Sequence, residues 1–341
     1  MTRVDQDPPV VDLAGALTTA GHEVDVHAAG TGGSRASELD AVVSALRDRW
    51  TADPPDVVHT HRRTSGLAAL LAARPLGIPV VHTHQDMANT PAALANMERA
   101  ICRSTTRVVA TSAADLPVLV RFGVRRSRIA VVPYGVDPAR FTPEGPRAVQ
   151  RSPFRLLTAA SAWAEVPEAL VAAVRTLPDV ELVVLDGPPS VDETAARLGV
   201  ADQVTRVAGH TGELPSLLRS ADIVVCGPWH DRPSVLALRA MACGVAVVGT
   251  TSAGGLSDVV VHGVTGLLPA QRARTGLVRV LRALLTDHGR REAYAVAGAD
   301  RVLARYTLDH VAAQLTDVYT AATDDRADRR VAAVELSAVD V

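Results

Sequence analysis

Two α/β halves built on parallel sheets are what the sequence predicts, from three features. Short β-branched runs alternate with longer Ala- and Leu-rich helical patterns, one Pro- and Gly-rich stretch interrupts that rhythm, and the same alternation then resumes. In the first half, residues 10–20 read as a helix closed by Gly21, residues 24–27 as a strand, and residues 37–50 as an amphipathic helix. Strands follow at 56–59, 78–82 and 106–111, with helices at 65–76 and 92–103 between them. This is a Rossmann-like pattern. The interruption runs from Pro133 through Pro146 to Pro153, the best linker in the chain.

The second half reads as strand 155–158, helix 167–175, strand 180–185, helix 214–219, strand 223–226, helix 234–242 and strand 245–249. Helices at 275–285 and 308–321 end it, and the mixed charges from Asp324 onward read as a tail. The expected domains are therefore 1–145 and 146–323, with a tail at 324–341 and a cleft between two Rossmann-like halves. The first half is reduced. The first strand of a doubly wound sheet is central and its Gly-rich turn meets phosphates, yet no strand-forming run or glycine pair precedes Val10. A true start further upstream, an eroded domain, and a second chain that fills the gap all fit.

Composition limits the function classes. The 35 basic residues balance 37 acidic ones, so no overall field draws nucleic acid or an anionic membrane. All 35 are arginine, because the sequence contains no lysine. Its 3 cysteines, Cys102, Cys226 and Cys243, are too few and too irregular for a disulfide frame or a zinc site, and a reduced cytoplasm fits them. The start, Met1 to Pro9, is polar with two prolines and lacks an apolar stretch of signal-peptide length, and no run approaches a membrane span.

Three groups of segments carry a family resemblance. The first is Pro55-Asp56-Val57-Val58-His59-Thr60-His61 with Gly77-Ile78-Pro79-Val80-Val81-His82-Thr83-His84. The second is Arg107-Val108-Val109-Ala110-Thr111-Ser112 with Val131-Val132-Pro133-Tyr134-Gly135-Val136-Asp137. The third runs from Ser220-Ala221-Asp222-Ile223-Val224-Val225 to Ala240-Met241-Ala242-Cys243-Gly244-Val245, then Gly254-Gly255-Leu256 and Gly263-Val264-Thr265-Gly266-Leu267. In this order and spacing the chain resembles the family 4 retaining glycosyltransferases, of GT-B fold, over nearly its whole length after residue 10. The resemblance implies hexosyl transfer from a UDP- or GDP-sugar, held mainly by the second domain, to an acceptor approached from the first. It implies no cofactor. Retaining transfer in this family is drawn as attack on the front face, assisted by the leaving phosphate, so no protein nucleophile is required.

Carried over residue by residue, the donor site is degenerate. The family's acidic pair eight residues apart falls on Asp231 and Arg239, so the second carboxylate has become a guanidinium. A carboxylate accepts hydrogen bonds from a ribose diol, whereas guanidinium only donates. Between them lie Pro233, Ser234 and Val235, the loop whose N–H groups hold the sugar and phosphate in the family. Pro233 has no N–H to give, although it suits the first turn of a helix. Ser161 stands where the family has a diphosphate-binding arginine, Glu165 adds repulsion, and no lysine supplies the other charge. Three lost charged hydrogen bonds amount to roughly 4 to 9 kcal/mol if additive, against about 8 for a micromolar ligand.

Histidine is the remaining chemistry. His59 with His61, and His82 with His84, lie two apart at strand ends, so each pair projects to one side of its strand. His84 falls where the family places an active-site histidine facing the donor sugar, and His61, with Arg62, where residues line the cleft. The plain alternative is a set of hydrogen-bonded strand-end histidines. A metal site is disfavoured: no further carboxylate motif follows, and a carbamylated-lysine centre needs lysine. Two functions stand side by side: an active hexosyltransferase with a rearranged donor site, and a catalytically silent homologue that binds a partner transferase chain or a second copy.

Overall fold

A computed structural model describes residues 8–27, 36–84, 92–160, 168–177, 179–208, 213–227, 233–249, 255–269 and 274–338. The chain forms two compact units, Met1–Pro133 with Leu308–Val341, and Tyr134–Thr307.

In the first unit, helices α1 (Pro8–Thr19) and α2 (Ala36–Ala52) precede strand β1 (Val58–Thr60). Then come α3 (Arg63–Ala73), β2 (Val80–Thr83), α4 (Ala92–Ser104), β3 (Arg107–Ala110), α5 (Leu116–Arg121) and β4 (Ile129–Val131). All pairings are parallel and the order is β1-β2-β3-β4. Strand order equal to chain order is one flank of a doubly wound sheet, since a complete one runs outward both ways from its first strand. Residues 24–27 form no strand. Val26 stays exposed and Asp25 turns to Arg49 and His27, so neither a ladder nor a buried face holds the segment extended.

The second unit contains β5 (Phe154–Ala159), α6 (Glu168–Thr176), β6 (Val180–Leu185), α7 (Ser190–Leu198), β7 (Val204–Val207), α8 (Leu214–Arg219) and β8 (Ile223–Cys226). It continues with α9 (Pro233–Ala242), β9 (Ala246–Gly249), α10 (Leu256–Val259), β10 (Gly266–Leu267), α11 (Arg274–Thr286) and α12 (His288–Arg305). Its six parallel strands run β10-β9-β8-β5-β6-β7, a complete doubly wound order whose switch point lies between β5 and β8. Leu, Val and Ala fill both faces, in keeping with the near-continuous apolar runs of strands covered by helices on each side. At the amino-terminal ends of the strands Arg155 donates to Glu181 at 2.6 Å and to Ser220, a buried pair remote from the strand ends where ligands bind. Gly266 is required by close approach: a Cβ there would lie 2.5 Å from the Val247 carbonyl oxygen.

Two domain boundaries differ from the expected ones. The first break falls after Pro133 rather than 145, because Val136 and Phe141 are already core residues of the second unit and Arg219 donates to the Pro146 carbonyl at 2.8 Å. The expected tail begins inside helix α13 (Leu308–Ala338), which joins the first unit. Val311, Leu315 and Val318 pack with Leu13, Leu17, Val81 and Val109, and Asp325 pairs with Arg107 at 3.0 Å.

Candidate active site

In the first unit the site grows from the carboxyl ends of β1 and β2. The register pairs Thr60 with His82, so these two share one face of the sheet, while His59 shares the other with Thr83. On the first face the Thr60 hydroxyl lies 2.8 Å from His82 Nδ1; on the second, His59 Nε2 lies 2.8 Å from Thr83 Oγ1. The two His-x-His pairs are therefore back to back, and the sheet separates them.

Helix α4 answers the His82 face. Its buried side carries Glu98, Ile101 and Cys102 at helical spacing, which puts a carboxylate where an apolar residue is the usual choice. Glu98 Oε1 accepts from His84 Nδ1 at 2.8 Å and from His82 Nε2 at 3.3 Å. Arg63, in the first turn of α3, brings its Nε to 3.4 Å from Glu98 Oε2. Burial alone would raise the Glu98 carboxyl, but the two imidazole hydrogen bonds and the nearness of both rings hold it well below the usual carboxylate range. Phe122 meets the His84 ring edge-on at 5.9 Å between centroids. The close fit explains Gly66: a Cβ at that position of α3 would lie 3.1 Å from both the His82 ring and Ile101.

On the opposite face His59 Nδ1 lies 2.7 Å from the Tyr319 hydroxyl of α13, and the His61 ring is 4.2 Å from that of His59. Burial first, then His61 and His82, push the His59 imidazole well below its ordinary value, so it is neutral at pH 7. Arg62 is exposed and starts α3: its N–H donates to Ser65 Oγ at 3.2 Å, and the Ser65 hydroxyl donates to the Arg62 carbonyl at 2.9 Å.

Among the described residues, His82, Glu98 and Cys102 offer donor atoms within 4.8 Å of one another, the one group with metal-ligand spacing. Three donors fall short of the four of a closed zinc site. Burial, then Glu98, push the Cys102 thiol far above its ordinary range, so it is no ready thiolate, and a cation here would meet the Arg63 guanidinium. Hydrogen bonding accounts for the set. Cys226 and Cys243 are also free and buried, burial holding the Cys243 thiol up at about 12.

In the second unit, β5 and β8 are neighbours, and the segments that follow them carry Ser161 and Asp231. Both residues, with Glu165, lie outside the described ones. Helix α9 begins at Pro233; Ser234 and Val235 are buried in its first turn. Arg239, half-buried a turn and a half on, stacks its guanidinium 5.0 Å from the Phe141 ring centroid.

Comparison with known proteins places this geometry. The model of Glycosyltransferase Family 4 matches residues 10–140, and that of Glycosyl transferases group 1 matches residues 158–287. The D-inositol 3-phosphate glycosyltransferase of Stackebrandtia nassauensis is 32% identical, over 86% of this chain and 75% of that protein. The chain belongs to glycosyltransferase family 4. Among solved structures, sucrose-phosphate synthase from Thermosynechococcus elongatus superposes with a TM-score of 0.78 at 20% identity, over 91% of this chain and 92% of that one. Anabaena HepE in complex with UDP-glucose gives 0.71 at 17% identity, over 89% and 87%. The fold of this family 4 chain is GT-B, and its relatives support glycosyltransferase function. No helix among the described residues is long and apolar enough to cross a membrane.

Of the residues singled out in the sequence, the structure brings His84 together with His82 and sets His61 on the opposite face of the sheet with His59. Sequence reasoning missed Glu98, Arg63 and Tyr319. The signal for Glu98 was present, as a carboxylate three and four residues before Ile101 and Cys102 on the apolar stripe of a helix. Tyr319 had none, since its partner lies 260 residues away.

Proposed function

We propose that the protein transfers a hexosyl group from a UDP- or GDP-sugar to an acceptor with retention of configuration. The observation that carries this reading is the buried set of Glu98, His84, His82 and Arg63 at the strand ends of the first unit. Burying ionisable groups costs several kcal/mol each unless they are paired. Here they are paired around the histidine that the family resemblance sets against the donor hexose. In the second unit, Ser161 and Asp231 follow in sequence on β5 and β8, the two strands that flank the switch point, where open α/β sheets take ligands.

Arg239 stands at the ribose-binding position of the family, and a phenyl ring holds its guanidinium. In this reading it supplies charge to the diphosphate that lysine supplies elsewhere. D-inositol 3-phosphate, in the names of relatives 32% and 36% identical, is the first acceptor to test.

Calorimetric titration with UDP- and GDP-sugars tests donor binding. Micromolar affinity is expected, weakened at least tenfold by Asp231→Ala and by Arg239→Ala. A folded chain that takes up no donor would contradict the reading. It would favour the second one, a silent homologue that binds a partner transferase or another copy of itself. The replacement of the acidic residue by Arg239 and the start of α9 at Pro233, which offers no N–H, speak for that alternative.

A further inference from the structure

We propose that Glu98 is a positioning residue for transfer: it fixes His84 as the tautomer protonated at Nδ1, leaving Nε2 to accept a hydrogen bond from a hydroxyl of the donor sugar. The role toward the sugar rests on the function proposed above. The tautomer does not.

An ionised carboxylate only accepts hydrogen bonds, so a ring nitrogen within bonding distance of it must carry hydrogen. His84 Nδ1 is 2.8 Å from Glu98 Oε1, and His82 Nε2 is 3.3 Å from the same oxygen. For neutral His82, hydrogen on Nε2 leaves Nδ1, 2.8 Å from the Thr60 hydroxyl, as the accepting nitrogen. For neutral His84, hydrogen on Nδ1 leaves Nε2 with a lone pair. Arg63, 3.4 Å from Glu98 Oε2, favours the ionised carboxylate that this arrangement needs. His82 and Glu98 are fully buried and His84 is 2% exposed, so the two rings keep the carboxylate as their partner. The rotation of His84 is limited further by Phe122 against its edge.

The logic matches that of metal-binding and catalytic histidines, where the partner of one nitrogen decides what the other can do. A leucine in place of Glu98 keeps a similar volume but offers neither ring an acceptor, so both imidazoles lose the oxygen that holds their hydrogens.

The test is nitrogen NMR of the full chain carrying labelled histidine, with the His84 signals identified by their loss in His84→Gln. In the wild type His84 should be protonated at Nδ1 and bare at Nε2, and UDP-glucose should move the Nε2 resonance. In Glu98→Leu that signature should vanish, and kcat should fall at least tenfold while KM for the donor changes less than threefold. A wild-type His84 protonated at Nε2 instead overturns the proposal, whether or not the variant folds. So does a folded Glu98→Leu protein with wild-type tautomer and kcat. If the wild type turns over no donor, the function proposed above fails on that observation, and the tautomer is still decided by the spectrum.

Discussion

Single residues in the first unit carry pH dependence as well as geometry. His59, enclosed by Tyr319, Thr83 and the His61 ring, has its imidazole held well below the ordinary value of about 6.5. Between its folded and unfolded values the unfolded chain binds the extra proton, so stability is complete above about pH 6.5 and is lost as pH falls below it. One proton sets an upper limit of about 1.4 kcal/mol per pH unit. Thermal midpoints should therefore drop between pH 7 and pH 5, and His59→Asn should show a shallower drop than the wild type. Equal slopes would show that this histidine is not the group responsible. Glu98 acts in the same direction but lower on the scale, losing its contribution only as pH falls below the usual carboxylate range. At this scale the sequence was half legible. Paired histidines at strand ends were visible by spacing, but the parity that sends His59 and His82 to opposite faces depends on where each strand pairs, here Thr60 with His82.

Helix α13 shows how one element decides what a unit is. Its apolar stripe, Val311, Leu315 and Val318, closes the face of the sheet that includes Val81 and Val109, and its polar contacts reach His22 through Thr316 and His59 through Tyr319. A chain ending at Thr307 should leave that face open and lose the first unit, while residues 134–307 keep a complete six-stranded sheet. Limited proteolysis should then cut within residues 8–133 and spare 134–307; equal protection of both in the shortened chain would contradict this role. Periodicity found most helices and strands to within a residue or two, since long amphipathic patterns and buried β-branched runs are local signals. It missed α5, α7, α12, β4 and β7 and the short α10 and β10, of which α7 and α12 carry Ala, Arg and Glu that read equally as surface loop. The strand expected at 24–27 failed for the complementary reason: alternation without burial does not hold a strand.

Across the whole molecule, a near-neutral chain with arginine as its sole long cation has kept both GT-B units, four strands in the first and six in the second among the described residues. The fold was legible because βα alternation and motif order are spread over the entire sequence. The donor site was legible only as replacements, Arg239 for a carboxylate and Pro233 at a helix start, whose consequence depends on charge brought in by residues distant in sequence. On the function proposed above, these replacements re-equip the donor site of a working transferase. The most direct test is to incubate the full chain with each UDP- or GDP-sugar that binds and with D-inositol 3-phosphate, and to determine the anomeric configuration of the product by NMR. The account predicts a glycosylated acceptor with the configuration of the donor, formed at least a hundredfold more slowly by His84→Ala. An inverted product, or none from a folded chain that binds its donor, would contradict it.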